Sequence, residues 1–169
     1  MFAGYQQLLP RAGRALDIAC GQGLAAVWLA RRGLSVHGLD VSEVAIDQAR
    51  RLAERAGVAQ RCRFDVVDLD DGIPAGPPVE LVHVHKFRDR RLDQPIIERL
   101  APGGLLAIVV LSQVGATSGP FRAVPGELPA AFAVLQALAA GEDDGQAWLL
   151  ARRSGAAHAQ NSLRPLEPR

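Results

Sequence analysis

The run Leu16-Asp17-Ile18-Ala19-Cys20-Gly21-Gln22-Gly23 constrains the fold more than any other part of the chain. It sets an acid inside a short apolar stretch. Two glycines one residue apart follow, which permit a tight turn and close approach of the backbone to a ligand. A helical pattern starts directly afterwards, at Leu24. Strand, glycine turn and helix in that order open a βαβ unit with a ligand site at the turn. Asp40 comes 19 residues after Gly21, at the end of the next apolar run. An acid there can accept hydrogen bonds from both ribose hydroxyls of a nucleoside.

Glycine spacing alone leaves the ligand open, because Gly21-x-Gly23-x-x-Ala26 also fits the dinucleotide fingerprint. Asp17 separates the alternatives. A pyrophosphate would sit over the turn at the helix N-terminus, and a carboxylate just before the glycines would repel it. A ligand bearing an ammonium and a sulfonium would instead be held. The residues therefore favour a cationic nucleoside over a dinucleotide such as NAD.

Along the rest of the chain, short apolar runs alternate with helical patterns, which predicts a parallel sheet built from βαβ units. Strands are expected at 15–19, 35–39, 63–67, 81–85 and 105–111. Helices are expected at 24–32, closed by Gly33, at 42–57 with Ser42 as N-cap, and at 94–100. The Asp-, Gly- and Pro-rich segment 68–78 reads as loop, and 101–104 as the turn into the fifth strand. Segment 113–129 reads as a long loop. Segments 131–139 and 147–153 flank the polar turn 141–145 and read as a closing antiparallel hairpin, although 131–138 also fits a helix. The fold class that follows is α/β: a Rossmann-like, doubly wound, mostly parallel sheet in three αβα layers, with a C-terminal antiparallel hairpin. One domain over 1–153 and a flexible tail over 154–169 are expected.

The first motif resembles that of class I S-adenosylmethionine-dependent methyltransferases, in which an acid precedes Gly-x-Gly by two or three residues. The likeness continues in order. Gly38-Leu39-Asp40-Val41-Ser42 is similar to the family's second-strand acid with its following serine. The stretch from Phe64 to Leu69 is similar to its third strand, Val82-His83-Val84-His85 to its fourth, and Leu100-Ala101-Pro102-Gly103-Gly104 to its turn into the fifth. The resemblance implies S-adenosylmethionine as cofactor. It implies Asp17, Ala19, Cys20, Gly21, Gly23, Asp40, Val41, Asp68, Leu69 and His85 as cofactor-binding residues, with Asp17 on the methionine ammonium and Asp68 on the adenine amino group. The short length and the Gly-Gln-Gly turn are similar to small bacterial methyltransferases near tellurite and thiopurine resistance. Two departures stand out. About fourteen residues precede the first strand, so the lid is either minimal, with Phe2, Tyr5, Leu8 and Leu9 packing as part of it, or cut short. No Asn/Asp-Pro-Pro-Tyr/Phe follows the fourth strand. His85-Lys86-Phe87-Arg88 stands there instead, which argues against adenine or glutamine amino groups as acceptors.

Methyl transfer from a sulfonium is in-line displacement by positioned reactants, so no obligatory triad is sought. His85, at the end of the fourth strand, is the candidate catalytic side chain, since a neutral imidazole can accept a proton. The alternative is that its ring only bonds nearby backbone. His83 points to the same strand face, but no third ligand lies near, so no metal site is expected. Lys86, Arg88, Arg90 and Arg91 read as a solvated loop face, with attraction of an acidic substrate as the alternative. Phe87 either closes over the acceptor or packs under its loop. Arg122 and Glu127 read as ordinary loop polarity, with a substrate pocket as the alternative. Trp28 and Trp148 are expected in the core, and Cys20 as a small buried hydrophobe.

Formal net charge is +1, and its bases are 18 arginines and one lysine scattered along the chain. Nothing in this balance draws nucleic acid or an anionic membrane. A small-molecule substrate is therefore expected, with no nucleic-acid and no membrane partner. The two cysteines, Cys20 and Cys62, have neither CxxC nor metal spacing, and no leader is recognisable, so a reduced, cytoplasmic protein is expected. Oligomeric state is not legible. Two competing functions remain: an NAD-dependent oxidoreductase, and a non-catalytic S-adenosylmethionine-binding module.

Overall fold

The computed structural model describes residues 2–119 and 121–155. Its frame is one seven-stranded sheet in the order β3-β2-β1-β4-β5-β7-β6. The strands are β1 (Arg14–Ile18), β2 (Ser35–Asp40), β3 (Cys62–Val66), β4 (Val79–His85), β5 (Leu100–Leu111), β6 (Gln136–Asp143) and β7 (Gln146–Arg152). The first five are parallel to one another, and β7 runs antiparallel to both β5 and β6. The chain winds outward through β2 and β3, then returns to lay β4 on the other side of β1. Strand order therefore reverses between β1 and β4, and the crevice at their carboxyl ends is where open α/β sheets take ligands.

Helices α1 (Leu24–Arg31) and α2 (Glu43–Arg55) cover one face of the sheet. α2 starts where the Ser42 side chain accepts the Ala45 N–H at 3.2 Å, as an N-cap does. Its apolar stripe of Ile46, Ala49 and Ala53 is buried with Ala26, Leu29, Phe64 and Leu81. Burying Ile46 fully contributes on the order of 2–3 kcal/mol. The opposite face carries α3 (Asp93–Arg99) and α4 (Glu127–Ala131), with Ile96, Leu128 and Phe132 over Leu16, Val82 and Ile108. Between β3 and β4 there is no α-helix, only a 3-10 turn at Leu69–Asp71 in an otherwise irregular segment.

Three sequence expectations change. The turn expected at 101–104 belongs to β5: Leu100 pairs with Val79, and the register then shifts. Gly103 (φ +80) absorbs the shift, while its N–H reaches the Arg153 carbonyl at 2.9 Å. The closing hairpin is displaced. Leu128, Phe132 and Leu135 are buried at spacings of four and three, a helical period that draws this stretch into and around α4, so β6 begins only at Gln136. Trp28 is not core, being 39% exposed, with the Arg32 guanidinium 4.8 Å from its ring centre.

The N-terminal 3-10 segment, Phe2–Leu8, sits on the α1 face. Tyr5 lies 5.9 Å from Trp148, ring to ring, and Leu9 is buried. Leu8 remains partly exposed. Of the expected tail, 156–169 lies outside the described residues. Among the described residues, no helix is long and apolar enough to cross a membrane.

Candidate active site

The glycine turn is built for open space on one side and close packing on the other. Ala19 (φ +52), Gly21 (φ +52) and Gly23 (φ +77) all adopt left-handed conformations between β1 and α1. A side chain on Gly21 would meet no atom within 4 Å, so the backbone there is bare to the crevice. A Cβ on Gly23 would lie 2.7 Å from that of Ala49, so this glycine lets the start of α1 press against α2. Ala19 is the surprise, since a non-glycine residue at this φ costs roughly 1–2 kcal/mol. Such strain is held where backbone shape serves a site. The Cys20 thiol packs beneath the turn near Gly38, where burial pushes its ionisation well above the ordinary thiol value. It is a packing group and not a nucleophile.

Two acids stand at the crevice. Asp17 is 1% exposed, and its Oδ1 lies 2.7 Å from His83 Nδ1. Its Oδ2 is buried without a hydrogen-bond partner among the described residues. Asp40 is committed to the turn, its Oδ2 accepting the Gly21 N–H at 2.8 Å and its Oδ1 the Ser42 N–H at 2.9 Å. Each carboxylate oxygen carries two lone pairs, so Asp40 keeps acceptor capacity for ribose hydroxyls. Val41, beside it, is exposed. Asp68 accepts the Asp70 N–H at 2.9 Å and thereby caps the turn after β3, while Leu69 drives its side chain into the α3-side core.

His83 and His85 share one face of β4, with rings stacked at 6.4 Å between centres. Dehydration of the His85 ring by the surrounding chain, followed by the charges of His83 and Lys86, lowers it below the ordinary histidine value. It is thus neutral at pH 7. Lys86 is left-handed (φ +59), and its N–H reaches the Val109 carbonyl at 2.7 Å, which turns the chain sharply after His85. His83 also walls a cavity of about 220 Å³ beneath the N-terminal segment, with Leu9, Ala25, Trp28, Leu81 and Ala107.

The loop after β4 is solvated at Lys86, Arg90 and Arg91, as expected, but not at Arg88. Its arginines are paired and form no anion trap. Arg88 is 4% exposed in its side chain and bonds Asp93 at 2.9 Å and Glu127 at 2.7 Å. Arg90 bonds Glu127, and Arg91 bonds Asp89 and Asp70. Three cations thus meet four carboxylates, and the cluster ties the β4 loop to α3 and α4. Phe87 packs against the core beneath. Arg122 holds the Ser112 and Gly145 carbonyls at 2.7 and 3.1 Å, away from the crevice.

The sequence reading did not find His83 as the partner of Asp17. The pairing needs the β1/β4 register, Asp17 opposite His83, which no local pattern encodes. Nor did it find the Arg88–Glu127 tie, which spans 39 residues.

These features fit the donor that the sequence resemblance implies. A buried, half-satisfied carboxylate could answer an ammonium, the bare glycine leaves room, and Asp40 keeps lone pairs that could answer a ribose. Comparisons with known proteins agree. A family model described as a methyltransferase domain matches residues 15–104, more than half of the chain. The ribosomal RNA small subunit methyltransferase C of Alcanivorax borkumensis is 33% identical over 111 residues, covering 60% of this chain and 33% of its own length. An S-adenosyl-L-methionine-dependent Diels-Alderase of Talaromyces variabilis is 40% identical over 108 residues, covering 60% of this chain and 37% of its own length. The chain spans about a third of the length of the curated relatives it matches. TehB of Haemophilus influenzae shares the fold, with a TM-score of 0.74 at 19% identity over 85% of this chain and 58% of that one.

Proposed function

Because the chain belongs to the methyltransferase domain family of class I S-adenosylmethionine-dependent proteins, we propose that it methylates a small-molecule acceptor. The observation that carries this reading is the apolar cavity of about 220 Å³ walled by His83, the partner of Asp17. The flanking loop has its arginines neutralised by carboxylates, so it offers no track for a phosphate backbone.

When bound, the donor supplies a methyl group on a sulfonium, already activated for displacement. The protein's share is position and dryness. Asp17 offers Oδ2 to the ammonium. Asp40 accepts from the ribose hydroxyls, and Asp68 from the adenine amino group, with Leu69 beside it. Ala19, Cys20, Gly21 and Gly23 shape the turn, with Val41 flanking Asp40. His85, neutral at pH 7, takes a proton at a ring nitrogen when the acceptor must lose one.

Calorimetry tests the donor half. S-adenosylhomocysteine should bind in the micromolar range and NAD should not, with Asp40→Ala losing roughly 1.5–3 kcal/mol. A methyl-labelled donor tests the acceptor half, offered with a panel of small oxygen, nitrogen and sulfur nucleophiles beside bulk RNA. Label entering RNA alone would overturn the small-molecule reading. A second reading, a donor-binding protein without methyl transfer, is favoured by the likeness to the fungal protein named as a Diels-Alderase. Donor binding with no label in any acceptor selects it.

A further inference from the structure

A second cavity lies at the opposite end of the sheet from the crevice. It has a volume of about 320 Å³ and is lined by the first residues of β1, β2, β3 and β4. Its origin is topological. Leu16, His37 and Arg63 stand in one row across β1, β2 and β3. This row faces the side that carries α3, and no helix crosses from β3 to β4 to cover it. The groove that results has an apolar floor, with Leu16, Pro77 and Val79, and a rim of four arginines, Arg14, Arg61, Arg63 and Arg99.

The way these arginines are held sets them apart from those of the β4 loop. Arg14 Nε donates to the Pro78 carbonyl at 3.2 Å, Arg61 Nη1 to the Gly33 carbonyl at 3.0 Å, and Arg99 Nη2 to the Pro74 carbonyl. Among the described residues, none of these three makes an ion pair, whereas Arg88, Arg90 and Arg91 all do. A carbonyl dipole orients a guanidinium without cancelling its charge, and it occupies one of five donors. Arg99 is half-buried, and that burial lowers it from the ordinary arginine value, the mark of a cation short of compensation. Only Arg63 is paired, to Asp65 at 2.7 Å. Burial alone would raise Asp65, but hydrogen bonds from Arg63 and His37 outweigh it and hold the carboxyl below its usual range. Glu80 accepts the Arg14 backbone N–H, and Glu98 lines a neighbouring cavity with Arg99 without an ion pair to it.

We propose that this groove binds a small organic phosphate, with its apolar body on the Leu16–Val79 floor and its phosphate among Arg14, Arg61 and Arg99. Guanidinium forks suit phosphate oxygens. The overall charge of +1 supplies no long-range field for a polyanion, so the occupant is a discrete anion of cavity size and not a nucleic-acid strand. The groove shares no residue with the crevice, and the inference stands whether or not the methyl-transfer reading holds.

The test is a titration of the full chain with phenyl phosphate, in the presence of saturating S-adenosylhomocysteine, followed by backbone amide NMR shifts. Saturable shifts at the starts of β1 and β3, with the crevice unmoved, are expected. Benzyl alcohol, which lacks the phosphate, should give none. Arg61→Gln and Arg99→Gln should each weaken binding by about tenfold or more, while S-adenosylhomocysteine affinity, a check that the variants fold, stays unchanged. If Arg99→Gln unfolds the chain, Arg61→Gln alone decides the matter. No saturable shift, or equal affinity in folded variants, overturns the proposal. So does binding of a single-stranded oligouridine where phenyl phosphate gives nothing, since that makes the groove a nucleic-acid surface.

Discussion

His83 Nδ1 stands 2.7 Å from Asp17 Oδ1 across the point where strand order reverses, and the other oxygen of that carboxylate has no partner among the described residues. One buried acid thus faces two ways. His83 orients it, and its other oxygen is the atom proposed above to meet the ammonium. Replacing Asp17 by Asn keeps the shape and removes the charge. S-adenosylhomocysteine affinity, read by calorimetry, should fall by roughly 1.5–3 kcal/mol. An affinity equal to that of the parent chain would take Asp17 out of the site.

The same pair predicts a stability effect at His83. His83→Leu strands the Asp17 carboxylate in the sheet, and leaving a buried acceptor unpaired costs about 1–3 kcal/mol. The urea midpoint should drop accordingly. His83→Asn places an amide donor near the position of Nδ1 and should recover most of the loss. Equal midpoints for the two variants would mean that the hydrogen bond contributes little.

Arg88 is a clamp. Its guanidinium is buried and forked onto Asp93 while also bonding Glu127, so Arg88→Met leaves Asp93 without its cation and Glu127 with Arg90 alone. Breaking such a pair costs on the order of 3–5 kcal/mol. Thermal denaturation should show it, and donor binding by the folded fraction should be unchanged, because no atom of the clamp touches the glycine turn.

Glu127 supplies a pH dependence. Burial alone would raise it, but hydrogen bonds from Arg90, the Val124 N–H and Arg88 prevail and hold it below the ordinary glutamate value. A carboxyl lowered on folding contributes stability above its unfolded value of about 4.3. That contribution is lost as pH falls through the folded value. Unfolding free energy should therefore decline below about pH 4.3, and Glu127→Gln should flatten that part of the curve. An unchanged acid slope would assign the loss to other carboxyls, Asp65 and Asp89, which are also held low.

At Ala19 the left-handed turn predicts a preference that sequence does not announce. Ala19→Gly should be tolerated or stabilising, since it relieves the positive φ. Ala19→Val should cost about 1–2 kcal/mol, measured by chemical denaturation. A valine variant as stable as the parent would show that this φ carries no strain.

The alternation of apolar runs and helical periods was enough to read the βαβ winding, because strand and helix leave different local periods. The glycine turn and Asp40 were legible for the same reason: a tight bend needs residues of a particular kind at a particular place. Where local pattern and packing disagreed, packing prevailed. Residues 131–135 have an apolar run that suits a strand, but Leu128, Phe132 and Leu135 bury together only on a helical period. Trp28 is large and apolar, yet it stands at the edge of the cavity beneath the N-terminal segment and stays 39% exposed.

From its amino acids alone, the chain determined the class of fold, the glycine turn between β1 and α1 and the family resemblance. Tertiary structure decided which side chains complete the site and which arginines stay uncompensated. Asp17 meets His83 through a strand register, Arg88 meets Glu127 across 39 residues, and Arg14, Arg61 and Arg99 gather where a crossover lacks a helix. Pairings of that kind depend on contacts between segments far apart in the chain, and no local period or turn preference carries that information.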